Sequence, residues 1–234
     1  MNEKEYGALR FGRAICLLIG LFGFTAFFLT IFLPDSLRHV TLSDHYFLDY
    51  ASNKVLFRLT NISFIVFKIL SVGLIAFFYM LVRPKNYAIV FFTSLLGAYG
   101  SFLGAIYYLK LTMYVERLYV ATLNADQAVI NFLRMLGLPN YDQLLFIIGL
   151  PAIWWLVLSY LSLDNKFIPR ILVILGFMIG GNLITYLIVF YLHQVQILKW
   201  VFLLNALLIS IWSVFEFKFI NQLIKAKNGG FLNE

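Results

Sequence analysis

Polar residues fall into short islands along this chain, and the stretches between them are apolar for about twenty residues at a time, the length a helix needs to cross a bilayer. Six stretches qualify. Ala14 to Leu33 is ended by Pro34 and Asp35, and Leu59 to Val82 by Arg83, Pro84 and Lys85. Tyr87 to Leu109 stops at Lys110, and Leu144 to Leu163 contains Pro151. Ile171 to Leu192 follows Pro169 and Arg170, and Val201 to Phe219 carries Glu216 and Lys218 in its last turn. Open strands leave backbone groups unpaired in lipid, and runs this long exceed barrel strands. The pattern therefore predicts an all-α polytopic membrane protein. It reads as a single transmembrane domain over 1–234, with spans about 14–33, 59–82, 87–109, 144–163, 171–192 and 201–219.

The outer segments are then 34–58 and 110–143. The first contains HVTLSDHYFLDY and has the makings of a short interfacial helix. In the second, Asn124 or Asp126 is placed to cap a helix through Ala128 to Leu136, ended by Gly137 and Pro139. Its apolar residues Val129, Ile130, Leu133 and Leu136 share one face, suited to the membrane surface or a cap on the bundle. Glu116 and Asp126 read as lone loop carboxylates.

Composition reinforces the pattern. The chain is 62% hydrophobic and 12% charged, about half the charge of an ordinary soluble domain. The net charge of +7 would suggest nucleic acid in a soluble protein, but here the cations cluster in short loops between apolar runs, as insertion bias demands. With the N-terminus inside, ten Lys and Arg lie on the inner side against seven outside, and Arg83, Lys85, Lys166 and Arg170 occupy the tightest inner loops. Both termini are expected to be cytoplasmic. The N-terminal charges Lys4, Arg10 and Arg13 resemble a signal peptide, but the apolar run is too long and no small-x-small site follows, so the first span reads as retained. The single cysteine, Cys16, excludes an intramolecular disulfide.

Lys68 is the sharpest chemical signal. Counting from Leu59, it lies roughly 13 Å into the bilayer, too deep to snorkel easily. A charge there should face the bundle interior or a wet cavity. Asn182 is roughly 17 Å from the inner face and at a comparable level. Asn205, Thr185, Ser71, Ser101 and Tyr186 are candidates to join it, and Gly180 and Gly181 permit close helix approach. Glu216 sits too far toward the inner face to pair with Lys68. The belt suits an anion, a lipid head group or a proton; equally, a lysine satisfied by Asn182, Asn205, carbonyls and water would look the same, as would one touching another chain.

Other chemistry is sparse. His39 and His45, with Asp44 and Asp49, are the candidates for a metal, but DHYFLD matches no recognised ligand spacing, so solvated loop residues are preferred. Outer tyrosines and Trp200 suit an interfacial belt, whereas Trp154 and Trp155 fall near the midplane and suit packing. No GxSxG, Walker, HExxH or CxxC motif occurs. The expectation is a protein that is not an enzyme and has no cofactor. Its favoured role is a subunit or accessory protein of a membrane assembly, with other membrane subunits and the lipid bilayer as partners. The alternative is a small transporter or channel built on Lys68, Asn182, Asn205 and Thr185. A lipid-modifying enzyme using the outer histidines ranks third.

Several phrases in order carry a resemblance: FRL at Phe57 to Leu59, FFYMLVRP at Phe77 to Pro84, NADQAVINFLRMLG at Asn124 to Gly137, and the long run Leu144 to Gly181 containing FIPRIL at Phe167 to Leu172. Together they resemble the bacterial six-helix membrane family called domain of unknown function 4386. In that family a similar arginine opens the second helix, a basic residue and proline close it, and a similar Phe-Ile-Pro-Arg phrase opens the fifth. The resemblance implies the topology and a bacterial cytoplasmic membrane, and supplies no catalytic residues.

Overall fold

Each apolar stretch becomes one long helical element. The computed structural model describes residues 3–34, 37, 44–82, 87–124, 128, 141–163, 165, 168–192 and 194–228. We label the elements α1 (Glu3–Phe32), α2 (Asp44–Val82), α3 (Tyr87–Leu123), α4 (Tyr141–Leu144, a π-helical turn Leu145–Gly149, then Leu150–Ser162), α5 (Arg170–Tyr191) and α6 (Val195–Asn228). All six contain segments long and apolar enough to cross a membrane. The expected helix over Ala128–Leu136 and the position of His39 lie outside the described residues, as does the side chain of His45.

The helices pack in chain order as a closed ring: α1 on α2, α2 on α3, α3 on α4, α4 on α5, α5 on α6, and α6 back on α1. Consecutive apolar helices joined by short loops have little choice but to lie antiparallel side by side. What decides the closing contact is side-chain size. Gly20 and Gly23 of α1 face Ser213 and Ser210 of α6: a Cβ on Gly23 would come within 2.3 Å of the Ser210 hydroxyl. Close backbone approach through small residues is the main source of packing energy between helices in lipid.

Aromatic packing fills the half of the ring nearer the start of α1 and the end of α6. Trp155 meets Trp154 and Trp212 edge to face, each at 4.9 Å between centroids. Phe78 lies 5.3 Å from Trp212. The Trp212 indole donates to the Leu172 carbonyl at 3.0 Å, so its one polar atom is satisfied in a dry interior.

Three helices are much longer than a hydrocarbon core is thick, α2 and α3 most of all. At 39 and 37 residues, α2 and α3 are about 58 and 55 Å long, roughly 25 Å more than the hydrocarbon core. The segment expected as an outer loop after Lys110 is therefore helical to Leu123, and the one before Leu59 is helical from Asp44, with non-helical geometry only at Asn53 (φ −121°, ψ 20°). Helix persists there because the overhang carries its own apolar seam, in which Tyr50, Phe57, Leu111 and Val115 are buried. This corrects the reading of Glu116 as a lone loop carboxylate. It sits on α3, pairs with Arg58 of α2, and lies 3.4 Å from Lys54.

Candidate functional site

Lys68 opens onto a small polar chamber at the centre of the ring. The chamber is lined from α2 to α6 by Phe67, Lys68, Ser71, Ser101, Trp155 and Asn205 among others, so five of the six helices converge on it. It gives water centres about 30 Å³ of room, enough for one or two molecules. The stem of Lys68 lies along Gly104 of α3, whose missing side chain makes the space. No hydrogen bond or ion pair to Lys68 is found among the described residues. The Asn205 side-chain Oδ1 is buried and unpartnered. A cation and an unpaired amide therefore share one water-sized space in a medium where unpaired polar groups are costly.

The belt expected from sequence is only partly assembled. Ser71, Ser101 and Asn205 do join Lys68. Asn182 does not line the chamber: its amide donates to the Val201 carbonyl at 2.9 Å and staples α5 to α6. Thr185 is exposed on the outside of α5 and donates back to the Gly181 carbonyl. Asn61, which sequence reasoning passed over, is buried with its Nδ2 unpartnered. It precedes Lys68 by seven residues, which places both on one face of α2, about 10 Å apart along the axis. The spacing was visible in the sequence, but a lone asparagine near a span end carried no warning of burial.

Aromatic side chains lie on either side of Lys68 along the ring axis. One turn from Lys68 toward the N-terminal end of α2, Phe64 stacks on Tyr108 at 4.8 Å and contacts Phe202 at 5.2 Å. Trp155 forms part of the chamber wall. It also lines a narrower crevice bounded by Ser159, Ser162, Leu172 and Trp212. Trp155 is thus shared by the two spaces.

The chamber is flanked by irregular helix. Pro151 has no N–H to give and its ring crowds the preceding turn. The π-helical turn Leu145–Gly149 absorbs the mismatch just ahead of it. Gly100 accommodates the widened backbone, since a Cβ there would lie 2.7 Å from the Phe146 carbonyl oxygen and 2.5 Å from Pro151. Irregular backbone at this depth is tolerated where protein or a cavity surrounds it, and broken helices beside a midplane cavity recur in carriers.

Among the described residues no group of three or more His, Cys, Asp or Glu is arranged to hold a metal. A family model described as Domain of unknown function (DUF4386) matches residues 12–219. No curated protein and no solved structure matches the chain.

Proposed function

The chain belongs to the family called domain of unknown function 4386 and is a multi-pass integral membrane protein, and on that premise we propose that it is a small carrier for anions, with Lys68 as the binding cation. One observation carries this reading. Lys68 faces a chamber that five helices converge on and has no opposing carboxylate in it. The Asn205 amide rotates to present either oxygen or nitrogen, so it completes the shell of an anion or of the water that replaces it. Asn61 supplies a donor toward the outer side. In this reading Phe64 and Trp155, on either side of Lys68, serve as the gates a carrier needs. In this reading the protein is not an enzyme and needs no cofactor, and both termini are cytoplasmic in a bacterial inner membrane, as the distribution of Lys and Arg supports.

The test is uptake of chloride, nitrate, hydrogencarbonate and short carboxylates into proteoliposomes holding the purified protein. Wild type and Lys68→Arg should take up at least one anion, and Lys68→Met should take up none while eluting as the same folded species. Absence of uptake by wild type across the panel would overturn the reading.

The second reading, a subunit or accessory protein of a membrane assembly, is favoured by the overhang of α2 and α3. Val55, Met113, Val120 and Leu123 there are 71%, 48%, 47% and 67% exposed. Purification from native membranes in mild detergent discriminates. A stoichiometric protein partner lost on Val120→Asp and Leu123→Asp supports this reading, and a lone chain removes it.

A further inference from the structure

Among the described residues Glu216 is the most deeply buried carboxylate. Its relative exposure is 0%, and both carboxylate oxygens lack a hydrogen-bond partner. It follows Asn205 on α6 by eleven residues, three helical turns, so it lies about 16 Å further toward the C-terminal end. That distance excludes an ion pair with Lys68.

The antiparallel register of α1 and α6 shows what it faces. Gly23 lies against Ser210, Gly20 against Ser213, and Arg13 reaches Asn221 at 3.4 Å. The same register sets Cys16 against Glu216, and the two are electrostatic neighbours. Cys16 is 1% exposed, and Ile19 and Ile220 beside the pair are 0% exposed. The nearest cations on the packed helices are turned elsewhere. Arg13 is exposed and engaged with Asn221, Lys218 is exposed over the Phe215 ring at 5.9 Å, and Arg170, which opens α5 near this level, is exposed as well.

A bare carboxylate is costly in such surroundings, so Glu216 needs a ligand that neutralises its charge. A metal cation would need about six oxygen ligands. The seam offers a thiol, and the hydroxyls of Ser210 and Ser213 are already given to backbone carbonyls. The ligand this chemistry can take is a proton.

We propose that Glu216 is a proton-binding site in the α1–α6 seam, exchanging with water at the end of the bundle where both termini lie. The exchange breaks the carboxyl O–H bond and passes the proton to a water entering beside Arg13 and Asn221, leaving a carboxylate that the water must solvate. Ionisation therefore wets the seam, and Cys16, the only thiol in the chain, becomes its native reporter. The inference does not depend on anion transport.

The experiment is infrared difference spectroscopy of the full chain in nanodiscs across a pH titration, with maleimide labelling of Cys16 in parallel. Wild type should show a carboxylic acid carbonyl band that disappears reversibly as pH rises, and Glu216→Gln should lack it. Labelling of wild-type Cys16 should accelerate with pH severalfold more than in Glu216→Gln. If that variant does not elute as a single folded species, the unfolded chain, which shows the intrinsic rise in thiol reactivity, serves as the labelling reference. A spectrum with no titrating band at the Glu216 position, or Cys16 labelling that follows the reference curve, would overturn the proposal. A proton site found without anion uptake leaves this inference standing and removes the carrier reading; uptake without the band does the reverse.

Discussion

The side-chain stem of Lys68 runs along the bare backbone of Gly104, where an added Cβ would come within 3.1 Å of both Cδ and Cε. The glycine therefore sets the position of the cation. Gly104→Ala should be tolerated, because the lysine stem can shift by a few tenths of an ångström. Gly104→Leu should overpack the chamber and cost about 1–3 kcal/mol. Thermal unfolding of the two variants in nanodiscs checks the order, and equal melting temperatures would refute it.

Lys68→Met should stabilise the fold. A lysine near the helix centre costs about 2.5–3.5 kcal/mol to place in a membrane, and no hydrogen bond or ion pair to it is found among the described residues to repay that. A higher unfolding temperature alongside lost anion uptake marks a residue retained for function. A clear drop in stability would instead make Lys68 a structural anchor.

The tryptophan pair supplies a third expectation. Truncating Trp155 to Ala should cost about 3–5 kcal/mol, as for other large aromatic deletions, and should join the chamber to the crevice beside Trp212. Trp212→Phe keeps the ring contacts but loses the bond to the Leu172 carbonyl, a change of about 0.5–1.5 kcal/mol. Chemical denaturation in mixed micelles would resolve the two, and similar losses would show that the hydrogen bond rather than the ring dominates.

Adjacent glycines on α5 should behave differently. A Cβ on Gly180 would sit 2.7 Å from Leu156 Cγ, whereas one on Gly181 meets nothing within 4 Å. Gly181→Ala should be neutral or gain up to about 1 kcal/mol of helix propensity. Gly180→Ala should destabilise by forcing α4 and α5 apart. Parallel melting curves suffice, and the reverse order would contradict the packing described.

The Glu116 clasp should matter little and only at low salt. Its carboxylate and the Arg58 guanidinium are 35% and 41% exposed, so solvent screens the pair and Glu116→Gln should cost at most about 1 kcal/mol. Raising ionic strength to about 1 M should erase the difference. A difference that persists at high salt would show a buried role.

Much of this architecture was legible because lipid imposes a simple rule: twenty apolar residues between polar islands make a span. All six helices were visible in that way, and so was the need for Lys68 to face inward. Ser71, Ser101 and Asn205 were correctly grouped by depth. Asn182 and Thr185 share that depth but not that direction, and depth counting carries no angular information between helices. The helical overhang of α2 and α3 was hidden for a different reason. Its stability comes from pairing Tyr50 and Phe57 with Leu111 and Val115 across two helices, while charges such as Arg58, Lys110 and Glu116 read locally as loop. Glu216 was misjudged as a helix-end residue because Lys218 follows it, yet α6 continues to Asn228.

The ring order has a consequence for how the chain is made. Five of its six helix contacts join neighbours in sequence and can form as each helix leaves the ribosome and enters the bilayer. The sixth, between α1 and α6, must wait for the last helix to be synthesised. Until then the face of α1 bearing Cys16, Gly20 and Gly23 is an unfilled notch turned to lipid. Biogenesis therefore has a late step, in which the newest helix finds the oldest, and that is where an insertion chaperone would have the most to do.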